Sequence, residues 1–399
     1  MENPVLPDPE ADPGVKRSHL DFPVVGIGAS AGGFESLAKF FEGMPATPRM
    51  AFVVILHLSP KHESMADKIL QRSTRMPVMQ VNDPVPLEKD HVYVISPRRQ
   101  LALNDGYLRL VDLPKTRTRH VAIDYFFRTL AEVHRERAVA VVLSGTGSDG
   151  SVGISRVREL GGLTFAQLPV DAEYEDMPRA AIGTGAIDIV LPAAEMGERI
   201  LALNANAQRI VLPTEVTSED LPVREPASGS ARQVAEEAMR DVMAILRTHT
   251  GHDFRHYKRA TVLRRIERRM QVNGVQSLPT YRDFLKQTPA ERPALLKDML
   301  INVTNFFRDR EAFDAIERDV LPEIFGNRAQ AEGVRAWSAG CATGEEAYSL
   351  AMLLSERAAQ ERTPPPIQVF ATASTPTPSP WRATRCIRRP SSPTLRPRG

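Results

Sequence analysis

The sequence predicts an α/β protein built on a doubly wound, mostly parallel sheet, with smaller segments behind it. Three observations predict this. From residue 21 to about 203, short apolar runs rich in Val and Ile alternate with amphipathic segments, as expected for a parallel sheet covered by helices. From 231 to about 310 the apolar spacing is helical, which marks a small all-α domain. From 334 to 372 the chain spells strand, Gly-rich loop, helix and strand, an incomplete Rossmann-like α/β fragment.

The elements follow in order. Residues 1–19 are acidic and Pro-rich and read as a disordered leader; with no basic n-region and no apolar h-region they are not a secretory signal. Buried strands are expected at 22–27, 50–56, 138–143 and 186–191, because each run is continuously apolar and too short for a helix. Helices are expected at 33–41, 64–72, 121–133 and 150–160. Strand-like stretches at 91–96 and 100–110, the latter broken by Asp105-Gly106, read as a hairpin that interrupts the alternation. Together these make one domain, 20–204. Residues 205–230 read as a linker. A helix carrying Val234, Ala238, Val242 and Ile245 on one face opens the helical domain, 231–310. The α/β fragment spans 311–372. The tail, 373–399, holds six arginines, no acid and few apolar residues, and cannot bury a core.

Composition sets bounds on function. The 399 residues carry 51 Lys+Arg against 49 Asp+Glu, a net charge of +2, so the whole chain makes no case for nucleic acid or membrane. The apolar run at 50–56 is far short of a bilayer span. The two cysteines are Cys341 and, in the tail, Cys386, which argues against a structural disulfide and for a reducing compartment. The expectation is a cytoplasmic protein with no membrane insertion and no metal centre.

The first chemical constellation is Ser30, His57 and Asp149. Gly28-Ala29-Ser30-Ala31-Gly32 follows a buried strand and opens a helix, the G-x-S-x-G pattern of a nucleophile elbow. Small flanking residues let the turn be sharp, and backbone N–H groups at the helix start can hold an oxyanion. A serine hydroxyl needs a base and a group to orient that base. The run 50–56 leads straight into His57, and the run 138–143 leads into Ser144-Gly-Thr-Gly-Ser-Asp149-Gly150. In an open α/β sheet these positions share the edge at which ligands bind. Other readings exist. Gly26, Gly28 and Gly32 form a loose dinucleotide fingerprint, although the second strand closes on His57 and not on an acid. His57 could be a core histidine, and Asp149 could cap the helix that follows it.

These segments, with His57-Leu-Ser59-Pro60, Met177-Pro-Arg-Ala-Ala181, Thr184-Gly185 and Val190-Leu-Pro192, resemble the chemotaxis protein-glutamate methylesterase (CheB-type) catalytic domain over about 21–203. The resemblance implies hydrolysis of γ-glutamyl methyl esters on the cytoplasmic domains of methylated chemoreceptors, with release of methanol, and deamidation of glutamine at such sites. It implies Ser30 as nucleophile, His57 as general base and then acid, and Asp149 as the group orienting His57. Backbone amides of Ala31 and Thr146 would bind the oxyanion, Thr146 standing where family members often carry Met. No cofactor is implied. The N-terminal phospho-receiver domain of many members is not expected in residues 1–19.

A second constellation lies further on. The stretch 257–270 is a helix carrying Lys258, Arg259, Arg264, Arg265, Arg268 and Arg269, either a solvated face or a patch for an acidic partner. It lacks interleaved aromatics, which disfavours nucleic acid. Trp337-Ser-Ala-Gly340-Cys-Ala-Thr-Gly344-Glu-Glu346-Ala-Tyr348 joins a strand to a helix, either a tight turn or a cradle of N–H groups at a helix start. With Leu300-Ile-Asn302-Val-Thr304-Asn-Phe-Phe-Arg308-Asp309 and Asp253-Phe254-Arg-His-Tyr257-Lys258, it resembles the chemoreceptor glutamate methyltransferase (CheR-type) over 231–372. That implies S-adenosylmethionine as cofactor, Asn302, Thr304, Arg308 and Glu346 at its site, and the basic helix facing an acidic receptor. The resemblance breaks off after Thr372: Ala373 stands where an acid should hold the cofactor ribose, and a Pro/Ser/Arg-rich tail replaces the remaining sheet. The expectation is a frameshift or truncation near Thr372 and an inactive, aggregation-prone transferase segment. The alternatives are an intact bifunctional enzyme cut by a sequencing artefact, a non-catalytic signalling scaffold, and a nucleotide-binding oxidoreductase on the 26–33 loop.

Overall fold

The computed structural model describes residues 16–57, 65–97, 99–112, 121–210, 212, 229–300, 306–307, 310–326, 333–341 and 344–372. The chain divides into two compact units, Met1–Ile301 and Asn302–Gly399.

The first unit begins with β1 (Val24–Ala29), α1 (Gly33–Glu42), β2 (Ala51–Leu56), α2 (Ala66–Gln71), β3 (Val78–Val81), β4 (Val85–Pro86), β5 (His91–Ile95), β6 (Arg99–Asn104) and β7 (Tyr107–Asp112). It continues with α3 (Ala122–His134), β8 (Ala138–Val142), α4 (Ser151–Glu159), β9 (Leu163–Gln167), α5 (Asp176–Gly183), β10 (Ile189–Leu191) and α6 (Ala193–Ala207). Seven strands form one sheet in the order β10-β9-β8-β1-β2-β5-β3, and every neighbouring pair is parallel. All seven carboxyl ends therefore lie along one rim. β1, β2 and β8 are buried along their whole length, because helices cover both faces and each Val or Ile removed from water contributes roughly 1.5–3 kcal/mol.

The hairpin differs from the expectation. The 91–95 strand belongs to the parallel sheet, where it pairs with β2 and β3. The hairpin is β6 with β7, turning at Asp105-Gly106, with β4 added beside β7. The expected strand at 186–191 shrinks to three residues, since Ala186 and Asp188 serve instead as partners for the hydroxyl of Thr164.

Four helices complete the first unit: α7 (Gly229–Thr250), α8 (Arg259–Asn273), α9 (Leu278–Gln287) and α10 (Glu291–Met299). Their apolar faces meet in a cluster of their own, with Val242, Leu246, Ile266, Tyr281 and Leu295 at its centre. Ser277 caps α9, its side chain accepting from the N–H of Thr280. Val272 of α8 joins the core of the sheet domain instead.

The second unit holds α11 (Arg310–Ala315), α12 (Leu321–Gly326), β11 (Val334–Ala339), α13 (Glu345–Ala358) and β12 (Ile367–Thr372). β11 and β12 pair in parallel as a two-stranded sheet, with Val334, Val369, Leu353 and Leu354 in a small core.

Candidate active site

Ser30 and His57 are the first residues past the ends of two neighbouring strands. The β1–β2 register ends at Ala29 opposite Leu56, and the N–H of His57 reaches the carbonyl of Ala29 at 3.4 Å. On the other side of β1, the N–H of Ser30 donates to the carbonyl of Ser144 at 3.0 Å, so the loop after β8 flanks the elbow directly. Gly32 makes the turn possible: it sits at φ +69°, a left-handed conformation that glycine adopts without strain. A β-carbon there would also lie 2.7 Å from Ser144 Oγ and from a carboxylate oxygen of Glu173.

Asp149 is buried, with a side chain only 5% exposed, while that of His57 is 25% exposed. Its Oδ2 lies 2.8 Å from His57 Nε2. The same carboxylate accepts the N–H of Ile123 at 3.0 Å and of Asp124 at 2.9 Å. It therefore caps α3, and not the α4 helix that follows it in sequence. α4 takes its cap from Asp124, which accepts the N–H groups of Val152 and Gly153 at 2.9 and 2.7 Å. Burial raises the pKa of Asp124, and the neighbouring Asp149 pushes the same way. Three donors from two elements hold the Asp149 carboxylate in one orientation.

The loop between β8 and α4 is pinned from beneath. Gly145 donates to the carbonyl of Tyr174 at 3.0 Å and accepts from the N–H of Met177 at 3.0 Å. A β-carbon on Gly145 would fall 2.2 Å from Met177 Sδ and 2.9 Å from Ser30 Cβ, so only glycine lets this loop approach the elbow. Thr146, the expected second oxyanion donor, follows it and is exposed. Ser144 is a residue that sequence reasoning passed over. Fully buried, it donates from Oγ to the carbonyl of Ala31 at 2.9 Å and accepts the N–H of Tyr174 at 3.0 Å, while its own N–H is held by Gln167 at 2.8 Å. It holds the carbonyl of Ala31, the residue whose N–H is the expected first oxyanion donor. The repeated small residues of the 144–150 string were the signal for it.

The dinucleotide fingerprint has a packing explanation. A β-carbon on Gly28 would lie 2.4 Å from Ile123, and one on Gly26 would lie 2.9 Å from both Phe126 and Leu130. These glycines let α3 lie close over β1. A cavity of about 530 Å³ is lined by His134, Arg137, Asn204 and Gln271 among others. It opens at the amino-terminal ends of the strands and holds none of the three rim residues.

Of the expected cofactor residues, Asn302, Thr304 and Arg308 lie outside the described residues. Glu346 is exposed and accepts from Ser338 Oγ at 2.9 Å. The N–H groups of Gly340 and Cys341, which a cradle would aim at a ligand, both donate to the carbonyl of Thr372, at 2.7 and 3.0 Å. These described residues do not fit S-adenosylmethionine as a ready-made site. The tail, 373–399, lies outside the described residues. Among those that are described, no helix is long and apolar enough to cross a membrane.

The basic helix corrects another expectation. Of its six cations, Lys258, Arg259 and Arg264 are exposed. Arg268 and Arg269 are 3% and 7% exposed, and Arg265 donates to the carbonyl of Glu159 at 3.2 Å. Half of the patch is turned into the protein and does not face an outside partner.

Residues 25–200 match the family model for CheB methylesterase. Residues 237–300 match CheR methyltransferase, all-alpha domain, and residues 302–376 match CheR methyltransferase, SAM binding domain. The chain is 39% identical over 321 residues to an uncharacterized 104.1 kDa protein of Rhodobacter capsulatus, a match covering 76% of this chain and 33% of that one. It is 32% identical over 192 residues to a protein-glutamate methylesterase/protein-glutamine glutaminase of Hydrogenovibrio crunogenus, covering 47% of this chain and 50% of that one. The chain thus spans a third to a half of the length of these relatives. The crystal structure of the Thermotoga maritima CheB methylesterase catalytic domain matches 46% of the chain at 26% identity, with a TM-score of 0.44. The chain joins a CheB methylesterase domain to the all-alpha and SAM-binding domains of CheR methyltransferase in a single polypeptide.

Proposed function

We propose that the first unit hydrolyses glutamate γ-methyl esters on methylated chemoreceptors, and deamidates glutamine at such sites, through Ser30, His57 and Asp149. The observation that carries this reading is the 2.8 Å contact between His57 Nε2 and an Asp149 carboxylate anchored on α3, at the strand end next to Ser30. With Nε2–H given to Asp149, Nδ1 is the ring atom that takes the Ser30 proton as Oγ attacks the ester carbonyl. The N–H groups of Ala31 and Thr146 take the developing oxyanion. The intermediate collapses to a Ser30 ester, and His57 returns the proton to the departing methoxide, giving methanol. Water, deprotonated by His57, then releases the glutamate carboxylate and restores Ser30. A glutamine side chain follows the same path and releases ammonia.

We further propose that the CheR-type segment does not transfer methyl groups. Ala373 in place of the ribose-binding acid and the engagement of the Gly340 and Cys341 N–H groups by Thr372 support this.

The deciding experiment is a methanol-release assay on methylated receptor. Wild type should release methanol and Ser30→Ala should not, with far-ultraviolet circular dichroism unchanged. Residual turnover in Ser30→Ala above a few per cent would remove the serine from this role.

A further inference from the structure

We propose that α8 is a docking helix whose partner is the amino-terminal rim of this chain's own esterase sheet. The esterase and the helical segment then open as one cooperative unit, with the inward arginines of α8 withheld from any outside acidic partner. The observations lie where the two segments meet. Arg268 of α8 reaches across to Asp188, just before β10, at 2.5 Å, and to the carbonyl of Gly162, just before β9, at 3.2 and 3.3 Å. Asp298 of α10 receives Arg268 and, from α4 of the esterase, Arg158, both at 2.6 Å. Arg158 also donates to the carbonyl of Gly185 at 3.1 Å, and Lys297 of α10 donates to the same carbonyl at 2.5 Å. The side chains of Asp188 and Asp298 have no exposure, and that of Arg268 has 2%.

Two carboxylates and two guanidiniums, alternating in sign and drawn equally from the two segments, therefore close a buried square. Arg269 stands behind it, paired with Glu291 at 2.6 Å, whose other oxygen takes the hydroxyl of Tyr281 at 2.7 Å. Such a cluster is strongly asymmetric: intact, each charge faces one of opposite sign, Arg158 closing the square on Asp188 at 3.7 Å, although Asp188 Oδ1 and Arg158 Nε make no hydrogen bond among the described residues; removing one member leaves another buried and unpaired. It acts as a register lock, holding α8 against this rim in one position. Along the seam, Arg199 of α6 donates to the carbonyl of Val272 at 3.2 Å and Asn206 to that of Val275 at 3.3 Å. These contacts sit at the amino ends of β9 and β10, on the last turn of α4, at Gly185 after α5 and along α6. Five- and six-residue strands put that rim about 17–20 Å from the carboxyl ends that carry Ser30 and His57. Among the described residues, these contacts of the docked segment are made away from the catalytic rim.

Hydrogen exchange on the full chain, followed through increasing denaturant, tests the proposal. In wild type, amides of α8 and α10 should lose protection at the same midpoint as those of β9 and β10. Asp298→Ala should speed exchange in α8 and α10 by roughly 100-fold or more and leave β1 and β2 slow, whereas Asp241→Ala, which breaks a half-buried pair with Arg282, should change neither. Phenylglyoxal should modify Arg255, which is exposed, and spare Arg268. The proposal is overturned if wild-type α8 and α10 exchange well before β9 and β10, if Asp298→Ala behaves like Asp241→Ala, or if Arg268 is modified as fast as Arg255. Should Asp298→Ala fail to fold, the two wild-type measurements decide alone.

Discussion

Asp149 does two jobs with one carboxylate: it orients an imidazole and it caps a helix. Asp149→Asn separates them. The amide can still accept the α3 N–H groups on one oxygen, but it presents an NH₂ where another acceptor is needed, so His57 turns or changes tautomer. Turnover in methanol release should fall by about 10⁴, on the scale of the same change in other triads, while urea stability drops by only about 1–2 kcal/mol, the worth of a weakened cap. A variant with near-normal turnover would detach Asp149 from His57. A second residue, His134, governs pH. It is 2% exposed, its Nε2 donates to the carbonyl of Phe22 at 2.7 Å, and burial drives its pKa down to about 4. Between about pH 6.5 and 4 the unfolded chain binds a proton that the folded chain refuses. Stability therefore falls as pH falls through that window, by about 3 kcal/mol in all. His134→Gln should flatten that part of the curve in urea titrations at stepped pH, and an unchanged slope would assign the loss to other groups. Ser30 and His57 were legible in the sequence because each follows the last residue of an apolar strand, and Asp149 because the apolar run 138–143 leads into the small-residue loop that ends at it. Ser144 carried only the small-residue signal of its loop, because its partners, Ala31, Gln167 and Tyr174, lie far from it in the chain.

At the scale of elements, α3 organises the site. It lies over β1 on the glycines at 26 and 28, and its first turn supplies the N–H groups that Asp149 accepts. Gly28→Ala drives a methyl against Ile123 in that same turn, where the space is 2.4 Å. It should cost about 1–3 kcal/mol in urea stability and lower turnover as well, because the turn moves with Asp149. Gly43→Ala is the control: a β-carbon there meets nothing within 4 Å, and its φ of −88° suits alanine. Equal stability of the two variants would mean that the helix yields freely. Among the central strands of the sheet, sequence patterning found those whose apolar character runs through, β1, β2 and β8, and it also found the amphipathic helices α1, α3 and α4. It missed β9, whose Thr164 and Gln167 are fully buried yet look like surface residues. Thr164 is satisfied by Ala186 and Asp188, and Gln167 by Asp171. Periodicity cannot register a polar group whose partner is supplied by another loop. The inward turn of the α8 arginines was hidden for the same reason. Burial opposes the charge on Arg268, but Asp188 and Asp298 outweigh it and hold its pKa above the ordinary arginine value. Asp298 likewise stays ionised despite burial, because Arg268, Arg158 and Arg269 surround it.

At the scale of the whole molecule, the two units differ in how fully they enclose a core. The first surrounds a seven-stranded sheet with helices. Among its described residues the second has two strands, each with an edge that no described strand pairs, and its large side chains Trp337, Tyr348 and Met352 are 68%, 47% and 39% exposed. The turn that would receive a cofactor is closed onto its own sheet: Thr372 takes the N–H groups of Gly340 and Cys341 on its carbonyl, and its hydroxyl accepts from Trp337 Nε1 at 3.2 Å. A ligand seeking those donors must first break three hydrogen bonds and would find Ala373 where a carboxylate should hold its ribose. The full chain should therefore show no heat on titration with S-adenosylmethionine and no change in unfolding at 1 mM cofactor. A site with a dissociation constant near 10 μM would behave otherwise, since at a hundredfold excess it would stabilise the second unit by about 2.7 kcal/mol, a shift that denaturant unfolding followed by Trp337 fluorescence resolves readily. Such a shift would return the methyltransferase segment to the list of working parts, whereas a flat titration with methanol release intact would leave the esterase as the one active centre.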